Sequence, residues 1–570
     1  SSDVCSSDLF YGRTLCVNKI VDENYLDLII DNALLKNYLI EDNITGLNDR
    51  YSILHILSGE PSPCDLGELY PYHSIPGLYT PMSQYGTEDT GFISVQNNPH
   101  LALYGQDVLI GIIDTGIDYR HPAFMDKNGC SRIVRIWDQS VQDGPPPAGF
   151  SYGTEYGKER IEQALMDENP LEVVPSTDNN GHGTAVASII AGSLREENGF
   201  RGIATQAELA VVKLKEPKKN LLKISFIPGN IECYQETDII LAVKYLEGVS
   251  RQLNRPMVIC FAFGSSQGSH DGYSTLNDYM DRVVLKPRID IAVAAGNEGN
   301  NRRHYFGAVD EPPYHHSFEL KVGEQEGLFA MEIWTALPAR LSIRIMCPTG
   351  EYTRVIYPQL ESCYSFGFVF EGSRIWVNNI TLEKENGEQL ILIRFKNPHE
   401  GIWTFDLENL EEEPYTFHSW LPAGELLSDE TYFLMPSPYT TVTMPGTSDG
   451  LLTVTAYNPQ TNSILAQSGW GYTRDWRVTP DVAAPGYQMA CALPNGMYGN
   501  LTGTGAASGV IAMMLEWAVV RGNYPTITGS DINKLIIRGA DRSNSGYAFP
   551  NPNWGYGILD IYGFLSKLDL

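Results

Sequence analysis

The feature that most constrains the fold of this chain is a series of short apolar runs that end in glycine-rich turns and alternate with helical segments. These runs and helices cover residues 108–113, 185–191, 209–214, 236–251, 257–263 and 289–295. Strand and helix alternating at this spacing predict βαβ units, in which helices cover both faces of a parallel sheet. We therefore expect an α/β protein.

Two stretches of the chain have a different pattern. Residues 312–437 alternate apolar and polar positions, and an Asn386-Gly387 turn separates two such runs, which predicts an inserted antiparallel β-sandwich. Residues 16–81 hold short apolar stretches split by polar turns and predict a small α+β unit. The α/β domain is then expected in two parts, residues 82–311 and 438–570. Residues 1–15 show no apolar period, and we expect them to be disordered or foreign to the native protein.

The net charge and the length of the apolar runs limit which classes of partner the chain is expected to bind. The chain has 40 Lys and Arg against 69 Asp and Glu, and its net charge of -29 repels phosphate backbones and anionic membranes. We therefore expect no nucleic acid partner. The apolar runs are far shorter than the roughly 20 residues that cross a bilayer, so no membrane span is expected. No signal peptide is visible, which favours a cytoplasmic protein. The oligomeric state is not indicated.

The cysteines are an odd set of nine, widely spread and without a CxxC pair. We expect free thiols in a reducing compartment. A cysteine nucleophile would need an activating base beside it, and no sequence feature points to one.

Three motifs carry residues suited to catalysis. VLIGIIDTGID places Asp114 at the carboxyl end of a buried strand, where open α/β sheets hold their active sites. NNGHGTAVASIIAG places His182 between glycines at the start of a helix, and IAVAAGNEGN offers Asn297 in a glycine-rich loop. Each motif also has a purely structural interpretation. The first could be a polar strand end, the second could hold a core histidine, and the third could be an ordinary turn. Together, in this order, they favour an acid, a base that it orients, and an oxyanion donor.

A second Asp-Thr-Gly at Asp89 leaves an aspartic-protease interpretation open. The 25 residues between Asp89 and Asp114 cannot hold two lobes, so that reading requires a dimer.

Taken together, these motifs resemble the subtilases, with further support from IATQAELAVVKL at 203–214 and TPDVAAPG at 479–486. The chain is most similar to the clostridial Csp-type germination proteases, through VRIWDQ at 134–139, GSSQGSHDG at 264–272 and SGWGYTRDWRVTPD at 468–481. The inserted β block resembles their jelly-roll insertion, and the N-terminal unit resembles a shortened prodomain. The resemblance also allows a spore-associated location.

The resemblance implies roles for particular residues. Asp114 and His182 correspond to the catalytic acid and base, and Asn297 to the oxyanion donor. Substrate peptides would pair with an edge strand at residues 260–264, where the site residues are Ala262, Phe263 and Gly264. The family usually has serine where Ala262 stands. Subtilases often bind calcium, but no ligand loop of recognisable spacing is present here, so no cofactor is assigned.

The main departure from the family lies at the nucleophile. Subtilases carry their serine in a Gly-Thr-Ser motif that opens a helix, and here the stretch reads GTGAASG, with Gly505 in the serine's place. Ser508 lies three residues along, an axial shift of about 4.5 Å. A base must lie roughly 2.6 to 3.2 Å from the hydroxyl that it activates. Ser508 is therefore expected to be a small packing residue.

Three functions remain open from the sequence. The first is a pseudoprotease that binds a peptide, a protein or another ligand as its partner. The second is an active serine endopeptidase in which Gly505 is an engineered or erroneous residue. The third makes the β insertion the working surface and the protease domain its support. Without a serine, self-cleavage should fail, so we expect the prodomain-like unit to stay in one continuous chain.

Overall fold

The computed structural model describes residues 18–35, 43–82, 96, 98–197, 199–360, 362–370, 372–501, 506–543 and 546–566. The expectation for residues 1–15 lies outside this set, as does Asp89. The described part of residues 18–82, called the N-terminal unit below, contains a three-stranded antiparallel sheet in the order β1-β3-β2. Its elements are β1 (Tyr25–Asp31), α1 (Asn32–Leu35), β2 (Ile44–Gly46), β3 (Tyr51–Leu57), α2 (Asp65–Glu68) and β4 (Leu78–Pro81).

The central sheet of the α/β domain has nine strands among the described residues, mostly parallel. They are β5 (Leu109–Asp114), β6 (Ile133–Asp138), β7 (Thr154–Gly157), β8 (Glu208–Lys213), β10 (Met257–Phe261), β12 (Ile289–Ala294), β23 (Leu452–Asn458), β24 (Ser463–Ile464) and β25 (Val482–Pro485). Their order is β24-β23-β12-β10-β5-β8-β6-β7, and β25 pairs with β23. The carboxyl ends of β5, β10 and β12 therefore meet at one edge.

Helices cover both faces of this sheet. They are α3 (Lys158–Met166), α4 (Pro170–Val173), α5 (His182–Ala191), α7 (Glu236–Leu253), α8 (Thr275–Val284), α9 (Ala506–Leu515), α10 (Gly529–Gly539) and α11 (Ile561–Ser566). The remaining helix, α6 (Lys219–Ile224), packs instead against β1 of the N-terminal unit. Alternate residues of β5 enter opposite cores. Ile110 and Ile112 pack with α5 and α9, whereas Leu109 and Ile113 pack with α7 and α8. This arrangement confirms the predicted fold class.

Two antiparallel sheets interrupt the α/β domain. One has the order β13-β21-β15-β19-β18-β17 and the other β16-β20-β14-β22. The strands are β13 (His304–Val309), β14 (His315–Val322), β15 (Leu328–Thr335), β16 (Leu341–Met346), β17 (Tyr364–Gly367), β18 (Arg374–Ile380), β19 (Gln389–Lys396), β20 (Gly401–Asn409), β21 (Tyr415–Trp420) and β22 (Tyr432–Phe433). They share one aromatic-rich core. β13 lies ahead of the expected start at residue 312.

Two further small sheets lie near the edge where β5, β10 and β12 end. β9 (Tyr234–Gln235), β11 (Phe263–Gly264) and β4 form one of them, and β26 (Met489–Leu493) with β27 (Met497–Leu501) forms the other. No helix among the described residues is long and apolar enough to cross a membrane.

The expectation that the cysteines are free thiols is wrong for one pair. Cys64 of the N-terminal unit and Cys363 of the insertion form a disulfide, with their Cα atoms 5.5 Å apart. Among the other described cysteines, Cys130 is exposed and four are buried. The pairing could not be read from the sequence because 299 residues separate the partners.

Candidate active site

An acid–base pair forms where β5 ends and α5 begins. Asp114 is the last residue of β5 and His182 the first of α5, and Nδ1 of His182 lies 2.6 Å from Oδ1 of Asp114. The amide of Thr115 donates to the same carboxylate oxygen at 2.8 Å. Because the carboxylate accepts, Nδ1 carries the proton, and in the neutral ring Nε2 is an acceptor. That Nε2 is buried and has no hydrogen-bond partner among the described residues.

The environment of His182 favours the charged imidazolium. Burial alone would lower the pKa of His182, but the charge and hydrogen bond of Asp114 outweigh it, so that the pKa is raised. Asp178 and Glu232 act in the same direction more weakly. A base that gains a proton during a reaction needs this kind of support.

Asp178 is a supporting residue that sequence reasoning missed. Its Oδ1 accepts hydrogen bonds from the Thr115 hydroxyl and the Gly181 amide, both at 2.8 Å. Its Oδ2 accepts from the amide and the hydroxyl of Thr184, at 2.8 and 2.6 Å. The carboxylate thus satisfies amides at the start of α5 and ties that helix to the end of β5. An acidic residue shortly before a helix start is a signal that could have pointed to it.

Gly183 is required by the close approach of α5 to the end of β5. A Cβ atom at this position would lie 2.1 Å from the carbonyl oxygen of Gly116 and 3.0 Å from Cβ of Asp114. The glycine next to the base therefore sets how near the imidazole comes to its carboxylate partner.

The position of the expected nucleophile, Gly505, lies outside the described residues, which resume at Ala506 where α9 begins. Ser508 is fully buried in the first turn of α9. Cys260, on β10, has its pKa raised to about 12 by burial, an effect that exceeds the opposing influence of Ser508. A thiol with that pKa stays protonated, so Cys260 does not fit a nucleophile's role.

Asn297 lies, partly exposed, in the loop that follows β12. Two inter-strand spacings, β5 to β10 and β10 to β12, separate its strand from that of Asp114, which is roughly 10 Å. The structure therefore places the predicted oxyanion donor at the same sheet edge as the acid–base pair. Its backbone carbonyl accepts from Nδ2 of Asn301 at 3.1 Å.

The strand expected to bind a peptide is already paired with the chain itself. The expectation of an edge strand over residues 260–264 is wrong for its first half, because β10 pairs with β5 and β12 and lies inside the sheet. The short β11 that follows pairs antiparallel with β4, Phe263 opposite Pro81 and Gly264 opposite Thr80. The amide of Met82 donates to the carbonyl of Ala262 at 3.0 Å. An apolar run has the same sequence pattern in a central strand as in an edge strand, so the sequence could not distinguish the two positions.

β4 lies between two strands and is enclosed from a third side. Its other edge pairs with β9, Tyr79 opposite Tyr234. Met82 packs against Ala294 and Ala423, and the latter lies between β21 and β22 of the insertion. The amide of Gly77, just before β4, donates to Glu236 at 2.8 Å. The N-terminal unit therefore fills a groove that runs past the base.

No group of three or more His, Cys, Asp and Glu within the described ranges is arranged to hold a metal ion. The polar chemistry at this edge is that of a carboxylate–imidazole pair beside β11, the short strand that pairs with β4. This combination on a parallel α/β sheet defines a scaffold of the serine-peptidase type.

The profile of the subtilase family matches residues 105–315 and 436–557, together more than half of the chain. The chain belongs to the subtilase family. Among solved structures, the CspB protease of Clostridium perfringens is similar, with a TM-score of 0.74 and 29% identity, covering 84% of this chain and 97% of that one.

Curated relatives extend the likeness. The C5a peptidase of Streptococcus pyogenes is 28% identical over 505 residues, which are 80% of this chain and 39% of that protein. Subtilisin-like protease SBT1.4 of Arabidopsis thaliana is 26% identical over 270 residues, 44% of this chain and 32% of that protein. The chain thus spans well under half of the length of these two relatives.

Proposed function

We propose that this chain is a subtilase that binds a peptide or protein partner in its groove without hydrolysing it. The observation that carries the proposal is Gly505, which stands where the family has its serine. A hydrogen atom as side chain offers no nucleophile, and Ser508 and Cys260 are both buried with no role in the acid–base pair. Among the residues that the structure describes, none gives Nε2 of His182 a hydrogen-bond partner, so no described hydroxyl is placed to be activated by it.

The size of the expected loss supports binding rather than turnover. In a subtilisin, removal of the serine lowers turnover by about 10⁶-fold, a value measured on a relative. That factor corresponds to about 8 kcal/mol of transition-state stabilisation. The residual rate, about 10³ to 10⁴ over water, comes from the oxyanion donors and binding alone. Such a rate does not sustain a working peptidase.

The groove keeps its capacity to hold an extended peptide. Pairing with β9 and β11 uses backbone groups only, so it needs no nucleophile. β4 occupies this place in the described structure, which makes the N-terminal unit the resident ligand. Because self-cleavage requires the missing serine, the unit is expected to remain part of one continuous chain unless another protease cuts it.

The test compares the wild-type chain with Gly505→Ser and, as a matched control, Gly505→Ala. Each is treated with a fluorophosphonate probe and with fluorogenic peptides, and its N-terminus is followed by mass spectrometry. We expect labelling and self-cleavage in the serine variant only. Stoichiometric labelling of the wild-type chain would refute the proposal.

A second candidate is an active serine endopeptidase in which glycine stands in error for serine at position 505. The close contact of Asp114 with His182 favours it, because the acid and base are arranged as a working enzyme needs. Sequencing the source gene distinguishes the two, since a serine codon at this position supports the enzyme.

A further inference from the structure

The Cys64–Cys363 disulfide joins the N-terminal unit to the inserted sandwich. Cys64 directly precedes α2, and Cys363 directly precedes β17. Both cysteines are partly exposed. The bond joins two parts of the chain that the backbone connects through residues 83–95 and the first part of the α/β domain.

Two buried residues of the insertion hold the backbone on both sides of the disulfide. The side-chain amide of Asn378 donates to the carbonyl of Leu66 at 3.1 Å and to that of Ser362 at 2.6 Å. The guanidinium of Arg394 donates to the carbonyl of Pro63 and to Oδ1 of Asn378. These contacts bring the two cysteines within bonding distance, so the disulfide follows from docking of the N-terminal unit.

The segment from Cys64 to β4 is anchored along its path. The hydroxyl of Tyr72 donates to Glu332 of the insertion at 2.7 Å, and the amide of Gly77 donates to Glu236 of α7 at 2.8 Å. Were these contacts to open, fully extended chain from Cys64 to Leu78 would reach at most about 50 Å. A strand confined within that radius competes for the groove at an effective concentration in the millimolar range.

We propose that this disulfide is a redox-controlled tether that keeps β4 in the groove independently of chain continuity through residues 83–95. The groove becomes available to another peptide only when a protease cuts the chain within residues 83–95 and a dithiol reduces the disulfide. In that step the dithiol supplies two electrons and two protons, the S–S bond breaks, and Cys64 and Cys363 become thiols. The dithiol closes to its own disulfide. The inference rests on the proposed function for the groove, but the tether itself can be tested without it.

The experiment uses the full chain with a recognition sequence for a site-specific protease inserted within residues 83–95. Cut and uncut protein is immobilised through a C-terminal tag, with or without dithiothreitol, and the retained N-terminal fragment is quantified. In parallel, anisotropy measures binding of a fluorescent peptide with the sequence of residues 76–82. We expect full retention and weak peptide binding for cut, oxidised protein. After reduction of the cut protein, the fragment should leave and the apparent peptide affinity should rise by about 10² to 10⁴-fold.

Two cysteine variants separate the tether from other effects of the reductant. Cys64→Ser should behave like reduced protein without dithiothreitol, whereas Cys130→Ser, which removes an exposed free thiol, should behave like the wild type. Retention of the cut fragment after reduction, or equal peptide affinity in both redox states, would overturn the tether. Fragment release without any peptide binding would support the tether and refute the proposed groove. Fluorophosphonate labelling would refute the proposed function while leaving the retention result unchanged.

Discussion

Replacing Asp178 by asparagine should loosen the start of α5 while leaving both residues of the acid–base pair in place. Each carboxylate oxygen accepts one backbone amide and one hydroxyl, from Gly181 and Thr115 at Oδ1 and from Thr184 at Oδ2. Asparagine keeps the shape but turns one oxygen into a donor. A hydroxyl can rotate to accept from it, whereas a backbone N–H cannot, so one buried amide loses its partner whichever way the side chain turns.

The expected loss of folding free energy follows from the one buried amide that loses its hydrogen-bond partner. An unsatisfied buried donor costs about 1–3 kcal/mol, and the lost bond was charge-assisted, which brings the total to about 2–4 kcal/mol. If α5 opens locally, its first-turn amides should then exchange about 30- to 1,000-fold faster, at about 1.4 kcal/mol per factor of ten. Hydrogen-exchange mass spectrometry over residues 178–191 measures this change.

The matched control is Glu168→Gln, which removes one negative charge from an exposed side chain and should alter the same amides less than threefold. If Asp178→Asn behaves like this control, the view that its carboxylate holds the helix start is refuted.

Three further changes have defined outcomes. Asp114→Asn should lower the pKa of His182, which NMR titration of the ring measures. In the wild type, the raised pKa stabilises the fold fully below the unfolded-state pKa, and this stabilisation is lost as the pH rises through the folded-state pKa. The variant should show less of this pH-dependent stabilisation. Gly183→Ala should destabilise the fold by at least about 3 kcal/mol in thermal unfolding, because its Cβ meets backbone, whereas Gly229→Ala, in open space, should not. Arg474 is buried and forms ion pairs with one carboxylate of the α/β domain and one of the insertion. Arg474→Gln breaks both pairs and should lower the free energy of unfolding by about 3–5 kcal/mol, measured by urea unfolding followed by tryptophan fluorescence.

The elements that sequence reasoning predicted well are those whose pattern is local. The helix expected over residues 236–251 is observed as Glu236–Leu253. The hairpin expected around Asn386-Gly387 joins β18 to β19, with Ile380 opposite Leu390. In both places the side-chain period and the turn residues alone indicate the element.

The features that were missed depend on contacts between distant parts of the chain. The place of Asp178 before a helix start could have indicated its contact with Thr184, but no local pattern indicates its bond to Thr115, 63 residues away. The occupation of the groove by β4 depends on where two separate domains meet. Neither propensity nor periodicity reports that arrangement, because both describe one segment at a time.

The contact between Asp114 and His182 holds the acid–base pair together independently of the nucleophile position. Removing Asp114 would leave the buried Nδ1 donor of His182 without its partner, and removing His182 would leave a buried carboxylate uncompensated. Either change costs several kcal/mol of folding free energy. A serine-to-glycine change at the proposed nucleophile position would remove one hydroxyl, and neither Asp114 nor Nδ1 of His182 would lose its partner. The pair is therefore stabilised by the fold itself, and its presence indicates a well-packed helix–sheet junction whether or not the site turns over a substrate.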